Sequence, residues 1–307
     1  MVLVQLVVNA ISIVLFYRLS YYLTRSNSKA FLLTMLFLGM FYYHLYNVHL
    51  FTESLYYSFG IIYTYILFTT AALSKKSILK IIFFLSLLYF TRPTGLFFIP
   101  ATVVFLLFKF YRNRAFALLA LSAILSIILV YFLLNFALGS GGEFDFIVTY
   151  SEKMIICGVS GVNEKQNIIV PVEKNSVESL WYIITNHTSL FFEMAGRRFI
   201  AFWGVIRNYF SAFHNIYIGV YFYSVYIMIF LGFRKLASRF LPEILFLITV
   251  IFFITVTVVL SCDEWHNRFI FSLLPFLILM GGGVFITKPG FSEIPRNDSE
   301  KYTGSSK

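Results

Sequence analysis

Charge is scarce in this sequence, and its scarcity excludes most classes of soluble protein. Only 12% of the 307 residues are charged, whereas 59% are hydrophobic and 20% are aromatic. An ordinary soluble domain carries roughly twice this charged fraction. The net charge of +10 comes from short basic clusters between apolar runs rather than from one basic stripe, which argues against nucleic-acid binding. The composition therefore predicts a polytopic membrane protein.

Long apolar runs recur along the chain. A membrane-spanning helix needs about 20 apolar residues, and runs near this length lie at 2–22, 30–47, 54–73, 78–91, 95–108, 115–138, 212–233, 244–262 and 269–287. We therefore expect an all-α protein with about nine transmembrane helices. The expected regions are an N-terminal transmembrane bundle at 1–138, an external loop at 139–211, C-terminal transmembrane helices at 212–287 and a disordered cytoplasmic tail at 288–307.

The loops between these runs alternate in charge. Basic residues cluster at 25–29, 75–80, 109–114 and 234–239, and the positive-inside rule assigns these loops to the cytoplasm. Ten of the fourteen carboxylates then lie on the outer side. This arrangement predicts an external N-terminus and a cytoplasmic C-terminus. The compact chain and short loops favour a bacterial inner membrane over the endoplasmic reticulum.

The external loop contains two features of its own. Apolar residues recur at helical spacing from about 176 to 208, beside the charged residues Glu178, Glu193, Arg197 and Arg198, which predicts amphipathic helix along the membrane interface. Cys157 lies in this loop and Cys262 at the external end of the eighth run. A disulfide between them suits an oxidising compartment, and two free, packed thiols are the alternative.

Isolated charges mark a candidate site on the external side. Glu53 is the first carboxylate of the chain and sits in an apolar, aromatic stretch, where an ionisable group is costly. Arg92 interrupts another apolar run, and a short turn between the eighth and ninth runs carries Asp263, Glu264, His266 and Arg268. All three junctions are expected to open to one face. A structural ion pair between Glu53 and Arg92, and an ordinary solvated loop at 263–268, are the alternatives.

Several short motifs at these junctions resemble those of one enzyme family. They are Val-Gln-Leu-Val-Val-Asn-Ala at 4–10, Phe-Thr-Glu-Ser-Leu at 51–55, Phe-Thr-Arg-Pro-Thr-Gly-Leu at 90–96, and His-Asn-Arg-Phe at 266–269 ahead of Leu-Leu-Pro-Phe at 273–276. The order of these motifs resembles integral-membrane glycosyltransferases of the GT-C fold. That group contains protein O-mannosyltransferases, the aminoarabinose transferases of lipid A and GPI mannosyltransferases.

The resemblance implies transfer of a hexose from a polyprenyl-phosphate carrier to an external lipid, glycan or protein acceptor. Arg92 and Arg268 are the expected phosphate ligands. Glu53 or Asp263 is expected to orient sugar hydroxyls or to accept the acceptor's proton. The resemblance implies no cofactor besides the lipid-linked sugar donor. It does not decide whether a divalent metal is needed. The remaining residues expected to contact substrate are His49, Glu264 and His266.

The chain departs from the family pattern at its start. Such enzymes usually begin with a transmembrane helix followed by an external loop with one or two acidic residues, and this unit is absent from the sequence. Either the chain is truncated, or another acid substitutes, for which Asp145, Glu143 and Asp263 are the candidates. Two further functions stay open: a non-catalytic subunit that binds lipid-linked glycan, and a flippase for a polyprenyl-linked sugar.

Overall fold

The computed structural model describes residues 2–49, 51–111, 114, 146–159 and 176–286, which form helices and turns without a β-strand. Within these residues, 3₁₀ turns occupy Pro93–Phe97, Trp265–Asn267 and Gly282–Phe285. The α-helices are α1 (Val2–Thr24), α2 (Asn27–Gly39), α3 (Phe41–Leu45), α4 (Thr52–Phe68), α5 (Lys75–Thr91), α6 (Phe98–Phe110), α7 (Phe146–Ser151), α8 (Ser176–Asn186), α9 (Thr188–Gly204), α10 (Ala212–Arg239), α11 (Leu241–Leu260) and α12 (Arg268–Gly281).

Five stretches of the described residues are long and apolar enough to cross a membrane. Helices α4 and α5, at 17 residues each, are about 26 Å long at 1.5 Å per residue. The predicted run at 115–138 and the predicted tail at 288–307 lie outside the described residues. The fold is that of an all-α membrane protein, and nine spans stay a prediction. The five stretches are Val2–Thr24, Pro93–Phe110, Ala212–Arg239, Leu241–Leu260 and Trp265–Phe285.

Helix α12 is the centre of the bundle. Each of its residues from Ile270 to Gly281 is buried, as expected for a helix that is apolar on all sides. It packs against α1, α2, α4, α10 and α11. Its C-terminal extension crosses α10 at Gly232 and Gly283, where a Cβ atom on either glycine would collide with the backbone of the other segment. Small residues at such a crossing allow two helices to approach closely.

The apolar run at 30–47 was predicted as one span, but the structure breaks it into α2 and α3 at Met40. The break leaves backbone groups without helical partners, which is costly in a bilayer. The Tyr217 hydroxyl of α10 compensates, because it donates to the Gly39 carbonyl and lies 3.5 Å from the Phe41 amide nitrogen, from which it accepts. A side chain remote in sequence thus stabilises the interruption, which local hydropathy does not reveal.

The basic clusters meet at one end of the bundle. Lys29 donates to the Phe285 carbonyl at 2.8 Å, and Lys109 donates to the Phe68 carbonyl at 2.9 Å. At the same end the Tyr22 hydroxyl donates to buried Glu243 at 2.8 Å. Helices α4, α6 and α12 all run from this end to the junctions at residues 51–53, 92–98 and 264–268. The two ends of the bundle therefore differ in charge as the sequence predicts.

Candidate functional site

Four charged side chains form a closed ring at the end of the bundle opposite the basic clusters. The Glu53 carboxylate lies 3.1 Å from Arg92 and 3.2 Å from Arg268, both measured from Oε1 of Glu53 to Nη1 of the arginine. Glu264 also contacts both arginines, at 3.5 Å to Arg92 and 3.6 Å to Arg268. We call Glu53, Arg92, Glu264 and Arg268 the charged ring. It joins residues from three separate junctions of the chain.

Glu53 is the buried member of the charged ring. It occupies the first turn of α4, where the unpaired backbone N–H groups of a helix N-terminus favour a negative charge. The adjacent Ser54 hydroxyl donates to Asn47 at 2.6 Å. From α1, the Gln5 amide donates to the Phe51 carbonyl at 2.8 Å. These bonds fix the junction that carries Glu53.

The turn between α5 and α6 positions Arg92. The proline that follows disfavours helical backbone at Arg92, which is extended, with φ −157° and ψ 137°. Gly95 then passes so close to the end of α5 that a Cβ atom there would collide with the Leu88 backbone. The tight hairpin directs the guanidinium of Arg92 toward Glu53. The same guanidinium lies 5.2 Å from the centre of the aromatic ring of Phe269.

Arg268 begins α12 after two residues with positive φ angles. His266 has φ 58° and Asn267 has φ 59°, a conformation that non-glycine residues rarely adopt. The Asn267 side chain donates to the Val205 carbonyl at 2.8 Å, which holds the turn. The Tyr57 hydroxyl donates to the Arg268 carbonyl at 2.7 Å. In this position the Arg268 guanidinium lies 5.2 Å from the centre of the Phe51 ring.

A clamp of covalent and backbone bonds holds the turn that carries Glu264. Cys157 and Cys262 form a disulfide, with their Cα atoms 5.3 Å apart, so the pairing that the sequence left open is present. Next to it, the Cys157 amide donates to the Asp263 carbonyl, and the Asp263 amide donates to the Ile155 carbonyl, each at 2.9 Å. The segment that contains Cys157 and the turn at 261–268 are thereby joined.

Asp263 lies within this clamp rather than in the charged ring. Its side chain is fully buried, forms an ion pair with buried Arg207, and accepts the Glu264 amide hydrogen at 2.8 Å. Burial raises the pKa of Asp263 to about 6, against the opposing effects of the Arg207 guanidinium and the Glu264 amide. The contacts of Asp263 are those of a residue that holds the turn.

Sequence reasoning placed Arg198 on the polar face of an amphipathic helix, and the structure corrects this. The predicted helix at 176–208 appears as α8 and α9, and Arg198 is fully buried. It donates to the carbonyls of Met154 and Thr149 at 2.9 and 3.0 Å, and its guanidinium lies 4.5 Å from the centre of the Tyr150 ring. The burial of Arg198 could have been predicted from its spacing of four residues from apolar neighbours. Leu190, Met194, Arg198 and Phe202 form one buried stripe along α9.

The predicted histidines lie at the edge of the site. His266 is exposed, and its backbone amide donates to the Tyr209 hydroxyl at 3.3 Å. His49 is also exposed, and its ring lies 5.6 Å from the ring of Phe51, the same ring that Arg268 covers. Asp145 and Glu143 lie outside the described residues. The structure therefore brings together Glu53, Arg92, Glu264 and Arg268, with His49 and His266 beside them.

The arrangement suits an anion with two oxygens. Two planar guanidinium groups face the same space, and each is suited to bidentate contact with a phosphate or a carboxylate. No group of three or more His, Cys, Asp or Glu side chains within the described ranges is arranged to hold a metal ion. Comparison of the chain with models of protein families, with curated proteins and with solved structures finds no match. Fold and site together define an all-α membrane protein with a partly buried ring of two arginines and two glutamates at one end.

Proposed function

We propose that this chain is a membrane glycosyltransferase of the GT-C type. It would move a hexose, of the mannose kind, from a polyprenyl-phosphate carrier to an external lipid, glycan or protein acceptor. One observation carries the proposal: Arg92 and Arg268, from junctions far apart in sequence, meet around buried Glu53 at one end of the bundle. The motif resemblance at 51–55, 90–96 and 266–269 covers these same junctions.

The donor in this proposal is a phosphodiester that carries one negative charge. Its polyprenyl tail lies in the bilayer against aromatic helices, and its phosphate is bound by Arg92 and Arg268. In the transfer step, the acceptor oxygen forms a bond to the anomeric carbon as the bond from that carbon to the phosphate oxygen breaks. The electron pair leaves with the phosphate, which becomes a doubly charged polyprenyl phosphate. The two arginines bind the phosphate and hold it in line for this step.

The acceptor hydroxyl must lose a proton in this step. Glu53 is held by two arginines, and Asp263 is buried and paired with Arg207. The Asp263 side chain is fully buried and the Glu53 side chain is 6% exposed, so neither carboxylate is placed to meet an acceptor hydroxyl. We therefore assign proton removal to Asp145 of the external segment. Glu53 is assigned the task of fixing the two arginines.

The proposed setting is a bacterial inner membrane crossed by nine helices, with an external N-terminus and a cytoplasmic C-terminus. The charged ring and the disulfide lie at the same end of the bundle, through Glu264 and Cys262, and the basic clusters that contain Lys29 and Lys109 lie at the other end. Disulfides form and persist in oxidising compartments, and basic loops face the cytoplasm. Both arguments support the proposal that the site lies on the external face.

The charge balance of the ring favours a second candidate, a non-catalytic subunit that binds lipid-linked glycan. Both carboxylates of the ring contact arginines, as they would in a site that binds a donor without removing a proton from an acceptor. Such a subunit would bind the donor without transferring its sugar. Donor binding and sugar transfer must therefore be measured separately.

The proposal is tested by sugar transfer in membranes that contain the chain, with labelled polyprenyl-phosphate hexoses and endogenous acceptors. Transfer by the parent should fall at least tenfold in Arg92→Ala and in Glu53→Gln, with insertion unchanged. Glu243→Gln is the matched control, because Glu243 is also buried but lies at the opposite end, bonded to Tyr22. Donor binding without transfer by the folded parent would support the non-catalytic subunit instead.

A further inference from the structure

We infer that Glu264 is an exchangeable counter-ion, whose carboxylate occupies the place of the ligand's phosphodiester and leaves when that phosphodiester binds. This inference rests on the proposed function for the identity of the ligand, a lipid-linked phosphodiester. It assigns different tasks to the two carboxylates of the charged ring. Glu53 is a permanent partner of the arginines, and Glu264 is a temporary one.

Glu53 is closer to the two arginines than Glu264 is, and it is less exposed to solvent. Glu53 accepts hydrogen bonds from Arg92 and Arg268 at 3.1 and 3.2 Å, and its side chain is 6% exposed. Glu264 lies 3.5 and 3.6 Å from the same arginines, and its side chain is 19% exposed. These longer distances are at the outer limit for a hydrogen bond. An incoming anion would therefore replace Glu264 more easily than Glu53.

The backbone at Glu264 is fixed, but its side chain has room to rotate. Its amide donates to the Asp263 carboxylate at 2.8 Å, and the disulfide at Cys262 holds the same turn. Displacement of the carboxylate therefore requires only rotation about side-chain bonds, toward the solvent that already reaches it. Such rotations are fast compared with rearrangement of a turn.

The geometry around Glu264 matches two oxygens of a phosphodiester. One carboxylate oxygen, Oε1, faces Arg92, and the other, Oε2, faces Arg268. The two non-bridging oxygens of a phosphodiester can bridge the same pair of guanidinium groups. In addition, Nε of Arg268 is buried and has no hydrogen-bond partner among the described residues. A phosphate oxygen would supply the acceptor that this donor lacks.

Charge balance adds selectivity to the exchange. With Glu264 in place, two arginines balance two carboxylates. Replacing one carboxylate with a phosphodiester, which has one negative charge, keeps this balance. A phosphate monoester carries nearly two negative charges above about pH 7 and would leave an excess negative charge beside buried Glu53. The ring should therefore bind a phosphodiester more tightly than a monoester, so that the phosphate product of transfer is released.

The test measures phosphate binding without any sugar transfer. The full chain in detergent is titrated by calorimetry at about pH 8 with citronellyl phosphate, a monoester, and with its methyl ester, a diester. Glu264→Gln and Glu264→Ala remove the competing charge, and the second variant serves if the first fails to fold. Glu193→Gln is the control for net charge, because Glu193 pairs with neighbouring Arg197 at an exposed position away from the ring. Melting temperatures confirm that each variant is folded.

We expect the parent and Glu193→Gln to bind the diester equally, and more tightly than the monoester. Both Glu264 variants should bind the diester about tenfold more tightly than the parent, because no carboxylate competes with it. Unchanged or weaker diester binding in both variants would overturn the inference and leave the proposed transferase standing. Tighter binding in the variants without sugar transfer by the parent would support the inference and contradict the transferase. Absence of diester binding in every variant would overturn both.

Discussion

Arg92 and Arg268 donate to the same atom, Oε1 of Glu53, at 3.1 and 3.2 Å. The two arginines are 176 positions apart in the sequence numbering, yet one carboxylate oxygen holds both. Two like charges that converge on one point repel each other unless an anion lies between them. Glu53 therefore holds the two arginines of the charged ring together.

Replacement of Glu53 by glutamine should destabilise the protein by about 2–4 kcal/mol, because two arginines would lose their buried partner. The measurement is the free energy of unfolding in detergent micelles, from denaturant titration. The pair Glu53→Gln and Arg268→Gln should be less destabilising together than the sum of the two single changes, since they share one interaction. Additive effects would show that Glu53 and Arg268 do not interact.

Arg92→Lys should reduce sugar transfer about 10–100-fold while leaving insertion intact. Lysine keeps the charge, but its ammonium group cannot present two parallel N–H donors to Glu53 and a phosphate at once. Transfer rates in membranes, normalised to the amount of folded chain, provide the measurement. Lys109→Arg is the control, since Lys109 lies at the opposite end of the bundle, bonded to the Phe68 carbonyl. Full activity in Arg92→Lys would mean that charge alone is needed there.

Gly95→Ala should lower stability by about 2 kcal/mol or more, because the new Cβ atom would collide with the Leu88 backbone. The matched control is Gly196→Ala in α9, where a Cβ atom meets nothing within 4 Å. Thermal unfolding of both variants in detergent separates the two cases. Equal melting temperatures would contradict the tight hairpin at Arg92.

Loss of the disulfide should loosen the turn that carries Glu264. Cys157→Ser or Cys262→Ser opens a bond between residues 105 positions apart, and removal of such a link costs about 2–5 kcal/mol.

Maleimide labelling of chain taken directly from cells should find both thiols blocked in the parent. Labelling of both cysteines without reductant would place this face in a reducing compartment and contradict the assigned orientation.

The sequence predicted the ends of the bundle better than its interior. Isolated charges in apolar sequence, such as Glu53 and Arg92, are costly in a membrane, which marked them as candidate site residues. The alternation of basic and non-basic loops indicated that their junctions open to one face. Hydropathy also predicted the five long apolar stretches. The break at Met40 depends on Tyr217, which lies far along the chain, so that no local pattern indicates it.

Buried arginines were the main feature that sequence reasoning missed. Arg198 and Arg207 look like solvated charges in an amphipathic segment, but both are buried and bind backbone carbonyls. Composition cannot distinguish an arginine at a solvated face from one that binds the open carbonyls of a neighbouring segment. Arg207 also argues against Asp263 as the base that accepts a proton from the acceptor hydroxyl, because the Asp263 carboxylate is paired with Arg207 within the clamp.

The most direct test of the central claim is sugar transfer by the purified chain in liposomes that contain a labelled polyprenyl-phosphate hexose and a mixture of acceptors. The parent is compared with Arg92→Lys/Arg268→Lys, in which both positive charges remain but neither side chain can bridge two oxygens. We expect transfer by the parent and a loss of at least a hundredfold in the double variant, with equal folding. Equal transfer by both proteins, or no transfer by the folded parent from any donor, would contradict it.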